Sequence, residues 1–108
     1  MILSSEDRQF VRTKLMPFFN IKALNIDYSP SKRKWPDIEV ELGKVPTITV
    51  TDEWRRQSAM ERRKRLVHEA LHCVGLQHGR YGEYLYSTYP ARDTYSRAVY
   101  RDIIKDGR

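Results

Sequence analysis

Residues 68–78 read HEALHCVGLQH, and this stretch contains all three histidines of the chain. An α-helix has about 3.6 residues per turn, so His68 and His72 lie on the same face, one turn apart. Two imidazoles placed in this way can bind a single metal ion. We therefore expect a helix to run through both histidines, with their rings on one side of it.

The spacing of the third histidine requires the chain to turn. His78 lies too far along to reach the same ion from a straight helix, but Gly75 precedes it. Glycine adopts a left-handed conformation at little cost, so it can end the helix and reverse the chain. The sequence thus predicts one Zn2+ ion held by His68, His72 and His78. Three neutral histidines leave the fourth position for water, which is typical of catalytic zinc.

Glu69 is rotated away from the two histidines, and we interpret it as the general base rather than as a ligand. Zinc lowers the pKa of its bound water toward about 7, and an adjacent carboxylate can take a proton from that water and later return it. The single cysteine, Cys73, is interpreted as a small packed thiol, with a fourth metal ligand as the alternative.

Length and composition predict a single domain over residues 1–108. No apolar run is long enough to cross a bilayer, and no signal-peptide pattern is present. A lone cysteine cannot form an internal disulfide. We therefore expect a cytoplasmic (intracellular) protein that has no membrane partner.

The apolar pattern predicts an α+β fold with the element order α-β-β-β-α-α. Ser4 or Ser5 caps a first helix, which ends or kinks between Pro17 and Asn20. Alternating residues predict strands at 24–28, 38–42 and 46–50, the last two forming a hairpin. Pro46 at the start of the third indicates an edge strand.

Two helices complete this order. The motif helix begins either after Thr51 or at the capping box that starts with Ser58, and it runs to about Val74. The last helix starts after Asp93.

The motif resembles that of the zincin metallopeptidases. The match covers residues 68–78, and the element order is similar over most of the chain. Metzincins also carry a methionine in a turn after the motif, whereas Met1, Met16 and Met60 all precede it. The chain therefore looks more like the intracellular SprT-like and Wss/Spartan-type peptidases, in which such a motif serves proteolysis of DNA-bound proteins.

The resemblance implies a zincin-like fold: an N-terminal helix, a small three-stranded sheet with an edge strand over the cleft, a central motif helix and a C-terminal helix. It also implies that the three histidines are the zinc ligands and that Glu69 is the base. In zincins the substrate lies antiparallel to the edge strand, a place that resembles Thr47–Val50 here.

The charge favours polyanionic partners, since the formal net charge is +6 and the isoelectric point is about 9.6. Lys32, Arg33, Lys34 and Trp35 form a basic loop that could stack a base or bind a phosphate. The alternative is a solvated loop with the tryptophan folded back into the core. A second basic run, Arg62–Arg65, leads into the motif helix, where some of its side chains must face protein.

We expect a zinc-dependent metalloendopeptidase that acts on a protein or peptide substrate, and the charge leaves open nucleic-acid-associated proteins. The alternative is a zinc-stabilised module that binds nucleic acid or a partner without peptidase activity. The intact Glu69 favours catalysis, because a structural zinc site does not need a carboxylate there. Several residues after the motif are open candidates for stabilising the oxyanion: Arg80, Tyr81, Tyr84, Tyr86, Tyr89 and Arg92.

Overall fold

The computed structural model describes residues 2–30, 38–75 and 94–105. The N-terminal helical segment comprises α1 (Ser5–Phe10), a π-helical turn (Val11–Leu15) and α2 (Met16–Phe19). The strands β1 (Asn25–Tyr28), β2 (Ile38–Glu41) and β3 (Thr47–Val50) follow, and then the helices α3 (Asp52–Arg55), α4 (Ala59–Cys73) and α5 (Thr94–Lys105). The predicted α+β class is confirmed, and the elements follow the predicted order except that a short helix, α3, precedes the motif helix.

The N-terminal helical segment starts and ends where the sequence predicts. The Ser4 hydroxyl caps it by accepting a hydrogen bond from the Asp7 amide at 3.1 Å. Directly before Pro17, the Met16 amide bonds the Val11 carbonyl, which is the wider π register. The π register accommodates Pro17, which has no amide hydrogen and whose ring crowds the preceding turn. The segment ends at Asn20, which has a left-handed φ of 55°.

The three strands form one mixed sheet in the order β1-β3-β2. β3 runs parallel to β1 and antiparallel to β2, so the predicted hairpin is confirmed. Ile26, Ile48 and Val40 lie side by side across the sheet and contribute to the apolar face that covers the core.

The prediction that Thr47–Val50 is an edge strand is wrong, because β3 is the central strand. Pro46 does not interrupt the sheet, since it precedes the first strand residue and its carbonyl accepts a hydrogen bond from the Asn25 amide at 2.9 Å. Composition carried the correct signal: β3 has no charged residue, whereas charged side chains are common on edge strands. The edge strand that packs against α4 is β2.

The two alternative starts predicted for the motif helix are both helix N-termini, one of α3 and the other of α4. The Thr51 hydroxyl caps α3, and the Ser58 hydroxyl caps α4 by accepting a hydrogen bond from the Glu61 amide at 3.2 Å. The indole of the buried Trp54 donates to the Arg62 carbonyl at 3.1 Å, which fixes α3 against the first turn of α4.

The core lies between the sheet and the helices. α4 contributes Leu66, Val67, Ala70 and Leu71, all of which are buried. α5 packs against α4 and the π-helical turn. No helix in the described ranges is both long enough and apolar enough to cross a membrane.

A buried carboxylate joins α1 to α4. The Asp7 side chain is 2% exposed, and its two oxygens accept hydrogen bonds from Arg62 Nε at 2.7 Å and Arg63 Nε at 3.1 Å. The Arg63 guanidinium also lies over the Phe10 ring, 5.7 Å from its centroid. This network holds the N-terminal helix against the start of the motif helix.

The basic run Arg62–Arg65 therefore faces largely inward. Its first two side chains pair with Asp7, and the buried Lys64 Nζ lies 2.8 Å from Glu61 Oε1. The Arg65 side chain is also buried, and its Nε lies 3.8 Å from Glu61 Oε2. These four side chains are thus largely engaged within the fold, and they give little support to a polyanion-binding surface.

We expect Asp7→Asn to lower the free energy of unfolding by about 3 kcal/mol, because it leaves two partly buried guanidinium groups without their counter-charge. Asp27→Asn, which changes an exposed carboxylate with no ion pair to a described residue, is the matched control. Urea denaturation followed by circular dichroism measures both variants. A change in Asp7→Asn no larger than in the control would show that the network contributes little to stability.

Candidate metal and catalytic site

The two motif histidines on α4 lie side by side. His68 and His72 are both half-buried, and their ring centroids are 5.1 Å apart with an angle of 69° between the ring planes. Two imidazoles that bind one tetrahedral zinc at the usual Zn–N distance have their centroids about 5 Å apart. The spacing of the two rings therefore fits a shared ion.

The helix ends at the predicted glycine. Val74 is the last residue with near-helical backbone, and the Gly75 amide donates to the His72 carbonyl at 3.0 Å. Gly75 has a φ of 99°, so the chain leaves α4 through a conformation that other residues rarely adopt. The predicted turn after the second histidine is thus confirmed.

Two of the three predicted ligands come together in the described chain. His78 lies outside the described residues, as do the loop Lys32, Arg33, Lys34 and Trp35 and the candidate oxyanion donors after the motif. Among residues 2–30, 38–75 and 94–105, no three His, Cys, Asp or Glu side chains form a group that could hold a metal ion. The zinc site therefore stays a prediction that depends on His78.

Glu69 is a buried carboxylate beside the histidine pair. The residue is 6% exposed, and no described residue donates a hydrogen bond to its side chain. Burial, and secondly the negative charge of Glu39 on β2, raise the pKa of Glu69 to about 8 in the metal-free chain. In the metal-free chain this carboxyl is therefore largely protonated near neutral pH, and a nearby cation would favour its ionised form.

Cys73 lies one turn beyond Glu69 on α4 and is half-buried. Burial, and then the charge of Glu69, raise the pKa of its thiol to about 11. In the metal-free chain the thiol is therefore protonated near neutral pH, and its role as a packed thiol stays a prediction.

The sequence did not point to Glu39. Its alternation with Ile38 and Val40 predicted an outward side chain on a strand, but not that this strand packs against the motif helix. Knowledge of the strand order was needed, because it brings β2 rather than β3 beside α4.

Comparisons of this chain with protein-family models, with curated proteins and with solved structures found no match.

We expect Gly75→Ala to destabilise the chain by about 1–2 kcal/mol and to weaken zinc binding, because the left-handed conformation that redirects the chain toward His78 becomes unfavourable. A Cβ at position 75 would meet no atom within 4 Å, so the penalty comes from the backbone alone. Gly43→Ala is the control, since a Cβ there also has open space. Thermal unfolding measures the stability of each variant, and zinc titration measures its affinity for zinc. Equal stability and equal zinc affinity of the two variants would contradict the role of Gly75.

A second prediction concerns the stability of the metal-free chain as a function of pH. The pKa of Glu69 is raised in the folded state, so between its ordinary value of 4.5 and about 8 the folded state holds a proton that the unfolded state has lost. The stability that this proton contributes is present below the lower value and is lost as the pH rises through the higher one.

Glu69→Gln removes this titration. With zinc removed by a chelator, the free energy of unfolding of the variant should increase relative to that of the wild type, by on the order of a few kcal/mol between pH 5 and pH 8. Urea denaturation at several pH values measures the free energy of unfolding of both proteins. The contribution of histidine titration is common to both, so it cancels when one value is subtracted from the other. A difference that stays constant with pH would show that the Glu69 carboxylate ionises normally.

Proposed function

We propose that this chain is a zinc-dependent endopeptidase in which Glu69 is the general base. The observation that carries the proposal is a buried carboxylate, without a described partner, on the helix that also brings two imidazoles to the spacing of a shared metal ion. His68 and His72 would hold the ion together with His78, the third histidine of the motif.

Zinc held by three histidines supplies a Lewis acid that polarises a carbonyl group and lowers the pKa of water. The chain's own contribution to the chemistry centres on Glu69. A carboxylate oxygen of Glu69 accepts the proton of the attacking water and delivers it to the nitrogen of the leaving amine, while the scissile C–N bond breaks. Its burial keeps bulk water away and strengthens its interactions with charge that develops nearby.

The sheet order suggests where an extended substrate lies. β2 is the edge strand beside α4, so a peptide that adds to the sheet at β2 would pass close to Glu69. The resemblance to zincins supports this placement, with β2 taking the place first expected for Thr47–Val50. Nucleic-acid-associated proteins remain the proposed natural substrates.

Glu69→Gln tests the proposal. We expect the variant to retain zinc and to lose cleavage of a disordered protein such as casein by about 100-fold or more, because a positioned general base contributes about that much. Glu6→Gln, which changes an exposed carboxylate in the first turn of α1, is the control and should cleave normally. Gel assays with and without single-stranded DNA measure cleavage, and metal analysis confirms equal zinc content.

The outcomes separate the two functional classes. Cleavage that depends on Glu69 supports the peptidase, and stimulation by DNA supports nucleic-acid-associated substrates. Zinc binding without any Glu69-dependent cleavage would overturn the proposal in favour of a zinc-stabilised binding module.

A further inference from the structure

The sheet carries an unusual distribution of charge. Its strands contain three charged residues, Asp27, Glu39 and Glu41, and all three are carboxylates. None of them forms an ion pair with a described residue, although the chain has a net charge of +6. Within the part of the chain that the structure describes, the sheet therefore presents negative charge without paired cations, in an otherwise basic protein.

The strand register places these carboxylates on one face. Ile38 and Val40 of β2 point toward the core, so Glu39 and Glu41 point to the opposite side. Glu39 pairs with Thr49 of β3, which in turn lies beside Asp27 of β1. The outer face is thus polar and acidic from one edge of the sheet to the other.

β2 forms the edge of this face beside the candidate catalytic helix. Within the described ranges, no strand pairs with its outer side, which leaves backbone groups available to an added strand. β2 packs against α4, the helix that carries Glu69. A peptide along β2 would therefore meet the edge carboxylates and the catalytic carboxylate together.

We infer that Glu39 and Glu41 are specificity-determining residues that select extended protein segments with Lys or Arg at alternate positions. The inference rests on the proposed peptidase function and names the substrate class of that site.

Strand addition at β2 fixes which residues of a bound peptide face Glu39 and Glu41. Side chains of an added strand alternate between the two faces of the sheet, so residues two apart lie opposite Glu39 and Glu41. Opposite charges in such cross-strand positions are favourable, and like charges directly opposite each other are unfavourable. The intervening side chain falls on the face of Val40, where an apolar residue fits. The preferred segment is therefore basic-apolar-basic.

Bulk electrostatics predicts the reverse preference. A chain with a net charge of +6 attracts acidic peptides on average. Preference for a basic segment would therefore have to come from the local field of Glu39 and Glu41, and it should weaken as salt rises.

The test uses fluorogenic peptides of one length that contain Lys-Val-Lys, Gln-Val-Gln or Glu-Val-Glu. For the zinc-loaded chain we expect kcat/KM to be about 3- to 10-fold higher for the lysine peptide than for the glutamine peptide, mainly through KM, and lowest for the glutamate peptide. Glu39→Lys should abolish the preference for the lysine peptide, because with Glu41 unchanged the summed charge of the two edge positions becomes zero.

Two controls isolate the edge carboxylates. Asp102→Lys changes the net charge by the same amount at an exposed position on α5 and should leave the order of the peptides unchanged. Glu39→Lys also removes a charge that acts on Glu69, so the ratio between peptides is compared rather than the absolute rate. A change common to all peptides cancels in that ratio.

The outcomes distinguish the inference from the function beneath it. Glu69-dependent cleavage with no charge preference, or a preference unaffected by Glu39→Lys, overturns the inference and leaves the peptidase intact. If no peptide is cleaved, binding of the same peptides to the Glu69→Gln chain is measured by fluorescence anisotropy, and the relative affinities test the inference. Binding of the lysine peptide that Glu39→Lys weakens supports selection at β2, and equal binding of all peptides overturns it.

Discussion

The enclosure of α4 determines how the residues of the histidine motif are placed in this chain. The helix packs against β2, α5 and α1, and its apolar residues Leu66, Val67, Ala70 and Leu71 are almost fully removed from solvent. Near its C-terminal end, His68, His72 and Cys73 are half-buried, whereas Glu69 is buried. Packing on several sides holds the two rings in a fixed relation, and such rigidity is what a metal site requires of its ligands. The fold therefore positions the histidines before any ion is bound.

The buried charges divide into two kinds. Asp7 and Lys64 are buried with counter-charges at hydrogen-bonding distance, and Arg65 lies near Glu61 at a longer distance. Glu69 has no such counter-charge among the described residues, and its raised pKa records the cost of ionising it there. Burying an unpaired carboxylate opposes stability, whereas a nearby cation would offset the cost. Such local conflicts with stability are typical of functional sites.

Local structure could be predicted from the sequence, whereas the order of the strands could not. The caps at Ser4, Thr51 and Ser58, the left-handed Gly75 and the alternating strands all depend on neighbouring residues, so they can be read from a short stretch. The parallel pairing of β1 with β3 joins segments that are distant in sequence. Alternation indicates which face of a strand is buried but not which strand is its neighbour, and the edge was therefore assigned to β3.

The strand order also changes the expected electrostatics of the site. With β3 at the edge, a substrate would have met only threonine, isoleucine and valine, and the net charge would have dominated the choice of partner. With β2 at the edge, a peptide added to the sheet would meet Glu39 and Glu41 instead. Proteins that bind nucleic acid neutralise phosphates with lysine and arginine, so their segments are basic. Under the proposed function, the acidic edge would select such segments, while the basic remainder of the chain would favour the polyanion to which they are bound. The acidic edge would then attract the basic protein segment, and the positive charge elsewhere would attract the polyanion bound to it. Both would therefore favour the same class of complex.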